Sequence, residues 1–304
     1  MRRLARGAWM ILCFACCALS AQAGLRAEMT YVYGYIGLSD DHDNYVYAVL
    51  DEALARTRGK WGSYVLRTVP EVPRNRQIRE LETNTGSITL AVLGTAHDIG
   101  QHLRPVLIPV DKGLVGYRLL LIRHAEQGKF GAVRDLDDLK PFIFGQNFTW
   151  DDVDILRANG LAVQTGDDFE GLFQMLNRSR FDAFPRGVGE IGREFAEHQT
   201  PYPALQIEKS LVLHYPLPVY FWFSRSAEGE KLAERLEEGL RTMIADGTYD
   251  GIFWKYNRTV LQGLDLARRR VLELNNPFLP ADTPLGDARL WLTPEQLGVG
   301  VGIR

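Results

Sequence analysis

The stretch from residue 136 to residue 186 constrains the fold of this chain more than any other segment. Short apolar runs at 142–144, 161–163 and 181–184 alternate with two segments of helical period. Such alternation predicts strands that form a parallel sheet, with the helices packed on its faces. We therefore expect an α/β fold, with a strand-helix-strand-helix-strand unit in this region.

Residues that favour helix starts and ends mark the limits of two helices in this unit. Thr149 or Asp151 is placed to cap the first helix, and Gly160 follows its predicted end. Asp167 and Glu170 have the spacing of a capping box at the start of the second helix. The pattern predicts two well-delimited helices with a polar loop after each strand.

The loops after the first and third strands are the predicted site. In open α/β sheets, ligands bind outside the carboxyl ends of the strands, so residues 145–149 and 185–186 should share one crevice. Gln146, Asn147 and Thr149 precede a helix whose free N–H groups favour an anionic oxygen. Ordinary helix capping by the same side chains is the alternative, and the sequence leaves both open.

A second set of strand and helix patterns, covering residues 29–92, precedes this unit. Two long apolar segments, 104–123 and 217–223, bracket the 136–186 unit, so the chain leaves a first lobe, builds a second and returns. We predict that residues 29–115 plus 215–257 form lobe 1 and that residues 116–214 form lobe 2, joined by two crossover strands. This arrangement places a cleft at the join, where hinge closure around a ligand is favoured.

The first 23 residues have the three parts of a secretory signal peptide. Three arginines lie among the first six residues, residues 8–19 are apolar, and Ala21-Gln22-Ala23 fits a cleavage site. A membrane anchor is the weaker alternative, because the apolar run is shorter than the roughly 20 residues of a spanning helix. All three cysteines lie in this segment, so we expect a periplasmic protein without disulfides.

Composition narrows the class of function. The formal net charge is −3 and no basic cluster with interleaved aromatics occurs, so we expect no nucleic-acid partner. The six histidines show no paired metal-ligand spacing, and the sequence after residue 23 has no thiol nucleophile. We therefore predict no metal, no cofactor and no catalytic residues.

Three elements, in this order along the chain, resemble a known family. They are residues 136–149, Arg180-Phe181-Asp182-Ala183, and residues 245–249 (ADGTY) with Trp254-Lys255-Tyr256. Together they are similar to the periplasmic solute-binding proteins of the type II class, family 3, over residues 29–257. The resemblance implies a two-lobed type II periplasmic binding protein fold, and most members serve ABC transporters of amino acids and other polar solutes.

The resemblance also implies a set of ligand-binding residues. It places an arginine after the third strand of lobe 1, where it grips a carboxylate; Arg104 is the best match, and a surface arginine is the alternative. Amino-acid binders carry an aspartate for the ammonium group five residues after Asp182, but Gly187 stands here. We therefore expect an anionic or carboxylate-bearing ligand between Arg104 and Arg186. The remaining predicted ligand-binding residues are Tyr35, Thr95, Gln146, Asn147, Thr149 and Phe184.

Residues 258–304 lie outside the resemblance. We predict a C-terminal extension packed on lobe 1, with a partner-binding tail as the alternative. The sequence as a whole indicates a monomeric solute-binding protein that delivers a small ligand to a membrane permease. A ligand sensor that signals to a membrane receptor and a cleft enzyme of the dehydratase type are the alternatives.

Overall fold

The computed structural model describes residues 28–34, 40–70, 72–95 and 99–298. The predicted signal peptide, residues 1–23, and Tyr35 lie outside the described residues. Within them, the strands form two sheets and the helices pack on the faces of these sheets, which confirms the predicted α/β class. Among the described helices, none combines the length and the apolar composition that crossing a bilayer requires.

The described strands fall into two sheets, and we call each sheet with its helices a lobe. The strands are β1 (Met29–Gly34), β2 (Tyr64–Val69), β3 (Leu90–Gly94), β4 (Leu103–Val106), β5 (Tyr117–Arg123), β6 (Ile143–Asn147), β7 (Ala162–Gly166), β8 (Ala183–Gly187), β9 (Leu205–Ile207), β10 (Leu211–His214), β11 (Val219–Ser224) and β12 (Arg270–Glu273). The α-helices are α1 (Asp40–Arg56), α2 (Arg58–Trp61), α3 (Arg74–Thr83), α4 (Ile99–His102), α5 (Gln127–Gly131), α6 (Asp152–Ala158), α7 (Phe169–Asn177), α8 (Ile191–His198), α9 (Ala227–Asp246) and α10 (Thr248–Gln262).

The first lobe is built on the sheet β2-β1-β3-β11-β4. β1 runs parallel to β2 and β3, whereas the returning strand β11 is antiparallel to β3 and β4. Side chains alternate across a strand, so Leu90 and Val92 join the core shared with α1 and α9, whereas Ala91 and Leu93 pack with Leu81 of α3. The carboxyl ends of β1 and β3 therefore lie at one edge of a sheet covered by helices on both faces.

The second lobe is built on the sheet β12-β10-β5-β8-β6-β7, with β9 also pairing with β5. β6 runs parallel to β7 and β8, as the 136–186 pattern predicts, although each strand begins one or two residues later than its apolar run. Gly160 has a φ of +76° after α6, in agreement with its predicted place beyond the helix end. The cap of α7 differs from the prediction: Asp168, not Asp167, accepts a hydrogen bond from the amide of Gly171 at 2.7 Å.

Two crossings join the lobes, as the sequence predicts, but they are connections and not strands. The outgoing crossing is 107–116 and the return is 215–218, while the apolar segments beyond them become β5 and β11. The crossings touch, because the amide of Tyr215 donates to the carbonyl oxygen of Gly116 at 3.2 Å. A Cβ added at Gly116 would lie 2.2 Å from the carbonyl oxygen of Tyr215, so only glycine permits this approach.

The C-terminal extension is predicted to pack on lobe 1, and only part of it does so: residues 258–262 complete α10, which packs on α1 and α9. β12 pairs in parallel with β10, at the edge of the second sheet. The chain then passes the return crossing, where the Asn276 amide donates to the carbonyl oxygen of Pro216 at 2.8 Å. Farther along, the amide of Leu292 donates to the carbonyl oxygen of Lys112 at 2.9 Å. The extension therefore completes the second sheet and then lies along both crossings, because backbone donors and acceptors left unpaired by the two lobes are available there.

Candidate functional site

Side chains of both lobes meet at the carboxyl ends of β3 and β6, and we call this meeting point the cleft contact. Asp151 immediately precedes α6 of the second lobe, and its Oδ2 lies 3.9 Å from Nη2 of Arg74 on α3 of the first lobe. The same Nη2 donates to the carbonyl oxygen of Gly94 at 3.4 Å, and a Cβ added at Gly94 would lie 3.4 Å from Asp151 Oδ2. Arg74, Gly94 and Asp151 thus define where the two lobes approach each other.

Burial raises the pKa of the Asp151 carboxyl above its ordinary value. Arg74 opposes this rise through its positive charge, whereas the neighbouring carboxyl of Asp152 adds to it. At 3.9 Å the ion pair with Arg74 is at the outer limit of a salt bridge. The cleft contact therefore holds one loosely paired cation and one partly desolvated carboxylate, both of which have capacity to bind a polar group.

Two predicted site residues, Thr95 and Gln146, carry buried polar atoms near these strand ends. Thr95 directly follows β3 and is 5% exposed, and Gln146 lies in β6 and is fully buried. Among the described residues, Thr95 Oγ1 and both amide atoms of Gln146 have no hydrogen-bond partner. Since buried polar groups in folded proteins are almost always paired, these side chains are the strongest candidates for hydrogen bonds to a ligand or to ordered water.

Asn147 and Thr149 close a turn. Asn147 Oδ1 accepts from the amide of Thr149 at 3.0 Å and from its hydroxyl at 2.8 Å. The side-chain amide of Asn147 donates to the carbonyl oxygen of Asp167 at 3.2 Å. Phe148, between them, is 61% exposed. These contacts are those of the capping alternative, and binding of an anion at this turn stays a prediction.

Arg104 lies on the α9 face of the first sheet. Its Nε is 3.1 Å from Glu230 and its Nη2 is 3.1 Å from Glu237, both on α9. Its neighbour Leu103 points to the other face, in the core cluster that contains Leu81. The structure therefore gives Arg104 two carboxylate partners on a helix and does not bring it to the cleft contact.

Arg186 and Phe184 lie on one face of β8, packed against α7 and α8. The guanidinium of Arg186 forms a two-pronged ion pair with Glu194, with Nε–Oε2 at 2.6 Å and Nη2–Oε1 at 2.7 Å, and Nη2 also reaches Glu190 at 3.1 Å. Its Cζ lies 4.6 Å from the ring centre of Trp150. Phe184 is fully buried and stacks with Trp150, with an interplanar angle of 6°. Both residues are therefore part of a packed cluster directly behind the cleft contact.

Sequence reasoning missed a buried polar triad beside the site. Arg118 of β5 pairs with Asp152 of α6 at 2.9 Å, and its Nε donates to the hydroxyl of Tyr215 at 3.2 Å. Tyr215 in turn donates a hydrogen bond to Asp152, and all three residues are buried. Burial lowers the pKa of Arg118, but its interactions with Asp152, Tyr215 and Glu190 raise it by more, so the net shift is upward. An arginine inside the apolar run YRLLLIR was the available signal, because a buried charge requires a partner.

Known proteins match this chain in fold but not in sequence. No protein-family model matches the sequence, and no curated protein matches it either. Solved structures do match. An ancestral arginine-binding protein bound to arginine has a TM-score of 0.51 at 17% identity, covering 75% of this chain and 98% of the other. This chain has the type II periplasmic binding protein fold.

Two further structures support that assignment. A putative binding component of an ABC transporter from Wolinella succinogenes, complexed with lysine, has a TM-score of 0.52 at 18% identity, covering 77% of this chain and 97% of the other. A protein studied for glutathione import through GshT and the cystine importer TcyBC of Streptococcus mutans has a TM-score of 0.52 at 10% identity, with coverage of 76% and 95%. The two-lobed fold implied by the sequence resemblance is confirmed.

Proposed function

We propose that this type II periplasmic binding protein fold captures a small polar solute between its lobes and delivers it to the membrane permease of an ABC-type importer. The observation that carries the proposal is the cleft contact, where Arg74 and Gly94 of one lobe meet Asp151 of the other. Buried polar atoms of Thr95 and Gln146, which have no hydrogen-bond partner among the described residues, flank the same strand ends. Periplasmic localisation, a monomeric state and the absence of catalysis belong to this proposal, and the solute-binding neighbours support its binding role.

The ligand of this proposal bears a carboxylate or another anionic group. The sequence assigned that group to Arg104 and Arg186, but two glutamates engage each of these arginines. Among the described residues, Arg74 is the cation that remains at the cleft contact, with 37% of its side chain exposed and a partner at 3.9 Å. A ligand carboxylate at Arg74 would gain charge-assisted hydrogen bonds that the loose pair with Asp151 does not supply.

The proposal is tested by a thermal-shift screen of amino acids, organic acids, sugars and amines, followed by isothermal titration of each positive solute. Bound ligand raises the melting temperature because it stabilises the folded state by RT ln(1 + [L]/Kd). Arg74→Ala removes a contact worth about 1.5 to 3 kcal/mol, so it should weaken binding of the best carboxylate ligand by about tenfold to a hundredfold.

Arg76→Ala is the matched control. Arg76 lies on the same helix, and its side chain is 69% exposed and pairs with Glu80. This variant should bind as the parent protein does. A neutral sugar or a cationic amine as the tightest solute, or unchanged affinity in Arg74→Ala, would refute the anionic assignment.

The buried carboxyl of Asp151 favours the cleft enzyme as a second candidate function. A carboxyl whose pKa is raised by burial is suited to proton transfer, as a dehydratase requires. One experiment separates solute binding from dehydration. The protein is incubated with each stabilising solute, and mass spectrometry is used to search for a product that has lost water. A product that disappears in Asp151→Asn, while solute binding persists, would establish the enzyme.

A further inference from the structure

Arg186 occupies a site with the chemistry of a guanidinium receptor. Its Cζ lies 4.6 Å from the ring centre of Trp150 and 5.3 Å from the centres of two phenylalanine rings, and two carboxylates bind its N–H groups. Aromatic faces attract cations, and a carboxylate matches the planar fork of a guanidinium. We call this set of five side chains the Arg186 box: Trp150, Phe169, Phe184, Glu190 and Glu194.

The box is assembled from several elements. Trp150 precedes α6, Phe169 begins α7, Phe184 belongs to β8, and Glu194 lies on α8. Glu194 is 3% exposed and Arg186 is 6% exposed, so the pair is desolvated. Two carboxylates of the box face the Arg186 guanidinium, and the charge of Arg118 also acts on one of them, Glu190. Such a site would favour a cation strongly if its present occupant were removed.

The box lies directly behind the cleft contact. Trp150, which stacks over the guanidinium, is the residue before Asp151, and Asp151 reaches Arg74 of the other lobe. Trp150 and Phe169 are each partly exposed, so the rings are not sealed inside the core. A cationic solute group entering from the cleft would thus meet the box first on its Trp150 side.

Arg104 provides an internal comparison. It also binds two glutamates, at 3.1 Å each, and its side chain is 25% exposed. Among the described residues, no aromatic ring lies in cation–π contact with Arg104, whereas three rings contact Arg186. Both arginines are therefore paired with two carboxylates, but Arg186 also lies against three aromatic rings, which suit a flat cation.

We infer that Arg186 is a specificity-determining residue, which fills a cation-binding box of the second lobe with the protein's own guanidinium and so denies that box to guanidinium-bearing solutes. The inference rests on the proposed function, in which solutes enter the cleft. Its central test needs no natural ligand, because the box can be probed with ethylguanidinium alone.

The test is chemical rescue of Arg186→Ala. This variant should melt at a lower temperature than the wild type, and millimolar ethylguanidinium should recover at least half of the lost melting temperature in a saturable manner. Ethylguanidinium should not shift the wild type or Arg104→Ala. Arg186→Met, in which an unbranched apolar chain fills the box, should also show no shift. If Arg186→Ala does not fold alone, it should refold when ethylguanidinium is present during dilution from denaturant.

Agmatine, a guanidinium-bearing amine, provides the readout on specificity. It should bind Arg186→Ala at least tenfold more tightly than it binds the wild type or Arg186→Met. Absence of rescue, equal rescue of Arg104→Ala, or equal agmatine binding in all variants would overturn the inference. A positive rescue together with a solute screen in which no compound stabilises the wild type would count against the proposed function alone.

Discussion

Asp152→Ala should destabilise the protein more than most single substitutions, because Asp152 is the acceptor at the centre of the buried triad. The substitution leaves the guanidinium of Arg118, which is 5% exposed, without its counter-ion, and it removes the acceptor of the Tyr215 hydroxyl. Breaking a buried ion pair by deleting one partner costs about 3 to 5 kcal/mol. For a chain of this size, that loss corresponds to a fall in melting temperature of roughly 5 to 9 °C.

Urea denaturation followed by tryptophan fluorescence measures this loss, provided that the m-value is unchanged. Asp154→Ala is the matched control, since Asp154 lies on the same turn of α6 but is exposed. Asp154→Ala should lower the free energy of unfolding by less than about 1 kcal/mol, which is the usual contribution of a carboxylate near a helix start. Replacing the whole triad by Arg118→Met, Asp152→Leu and Tyr215→Phe should recover much of the stability, because well-packed apolar groups often substitute for a buried pair.

A loss of less than about 1 kcal/mol in Asp152→Ala, or a loss equal to that of Asp154→Ala, would refute the stabilising role of the triad. The triad also joins the two crossings to α6, because Arg118 follows the outgoing crossing and Tyr215 begins the return. Asp152→Ala should therefore weaken the thermal shift produced by any bound solute as well, since Asp151 would lose its fixed position beside the cleft.

Three further outcomes are expected. Gly116→Ala should cost about 1 to 3 kcal/mol in urea denaturation, since its new Cβ would lie 2.2 Å from a carbonyl oxygen of the return crossing. Gly128→Ala, in helix α5 and with no packing neighbour within 4 Å of the new Cβ, should lose no stability. Leu292→Ala, at a position 4% exposed, should cost about 2 to 5 kcal/mol, whereas Leu285→Ala, at a position 51% exposed, should change little; equal effects would show that the extension contributes nothing to stability. Burial raises the folded pKa of Asp151 above 3.8, so its favourable contribution is present below about pH 4 and is lost as the pH rises through the raised value; Asp151→Asn should gain stability relative to the wild type between pH 4 and pH 7, and a constant difference would contradict this.

The sequence alone predicted the elements that depend on local pattern. The runs that became β6, β7 and β8, and Gly160 at +76° after α6, follow from the period of apolar residues and from the backbone freedom of glycine. The two crossings between the lobes also follow from the sequence pattern, because long apolar segments bracket a complete α/β unit. Thr95 and Gln146 lie where the sequence pattern predicts strand ends, and both are buried near the cleft contact.

Only the tertiary structure decided which charges meet. Arg104 finds Glu230 and Glu237 from a helix more than 120 residues away in sequence, and Arg186 finds Glu194 across the packed face of β8. The position of an arginine at a strand end is a local property, but its partner depends on the face to which the side chain points and on the helix that covers that face. The same reason explains why β12 joins the second sheet: strand pairing requires an unpaired edge, and the edge that β10 offers exists only once that sheet has formed.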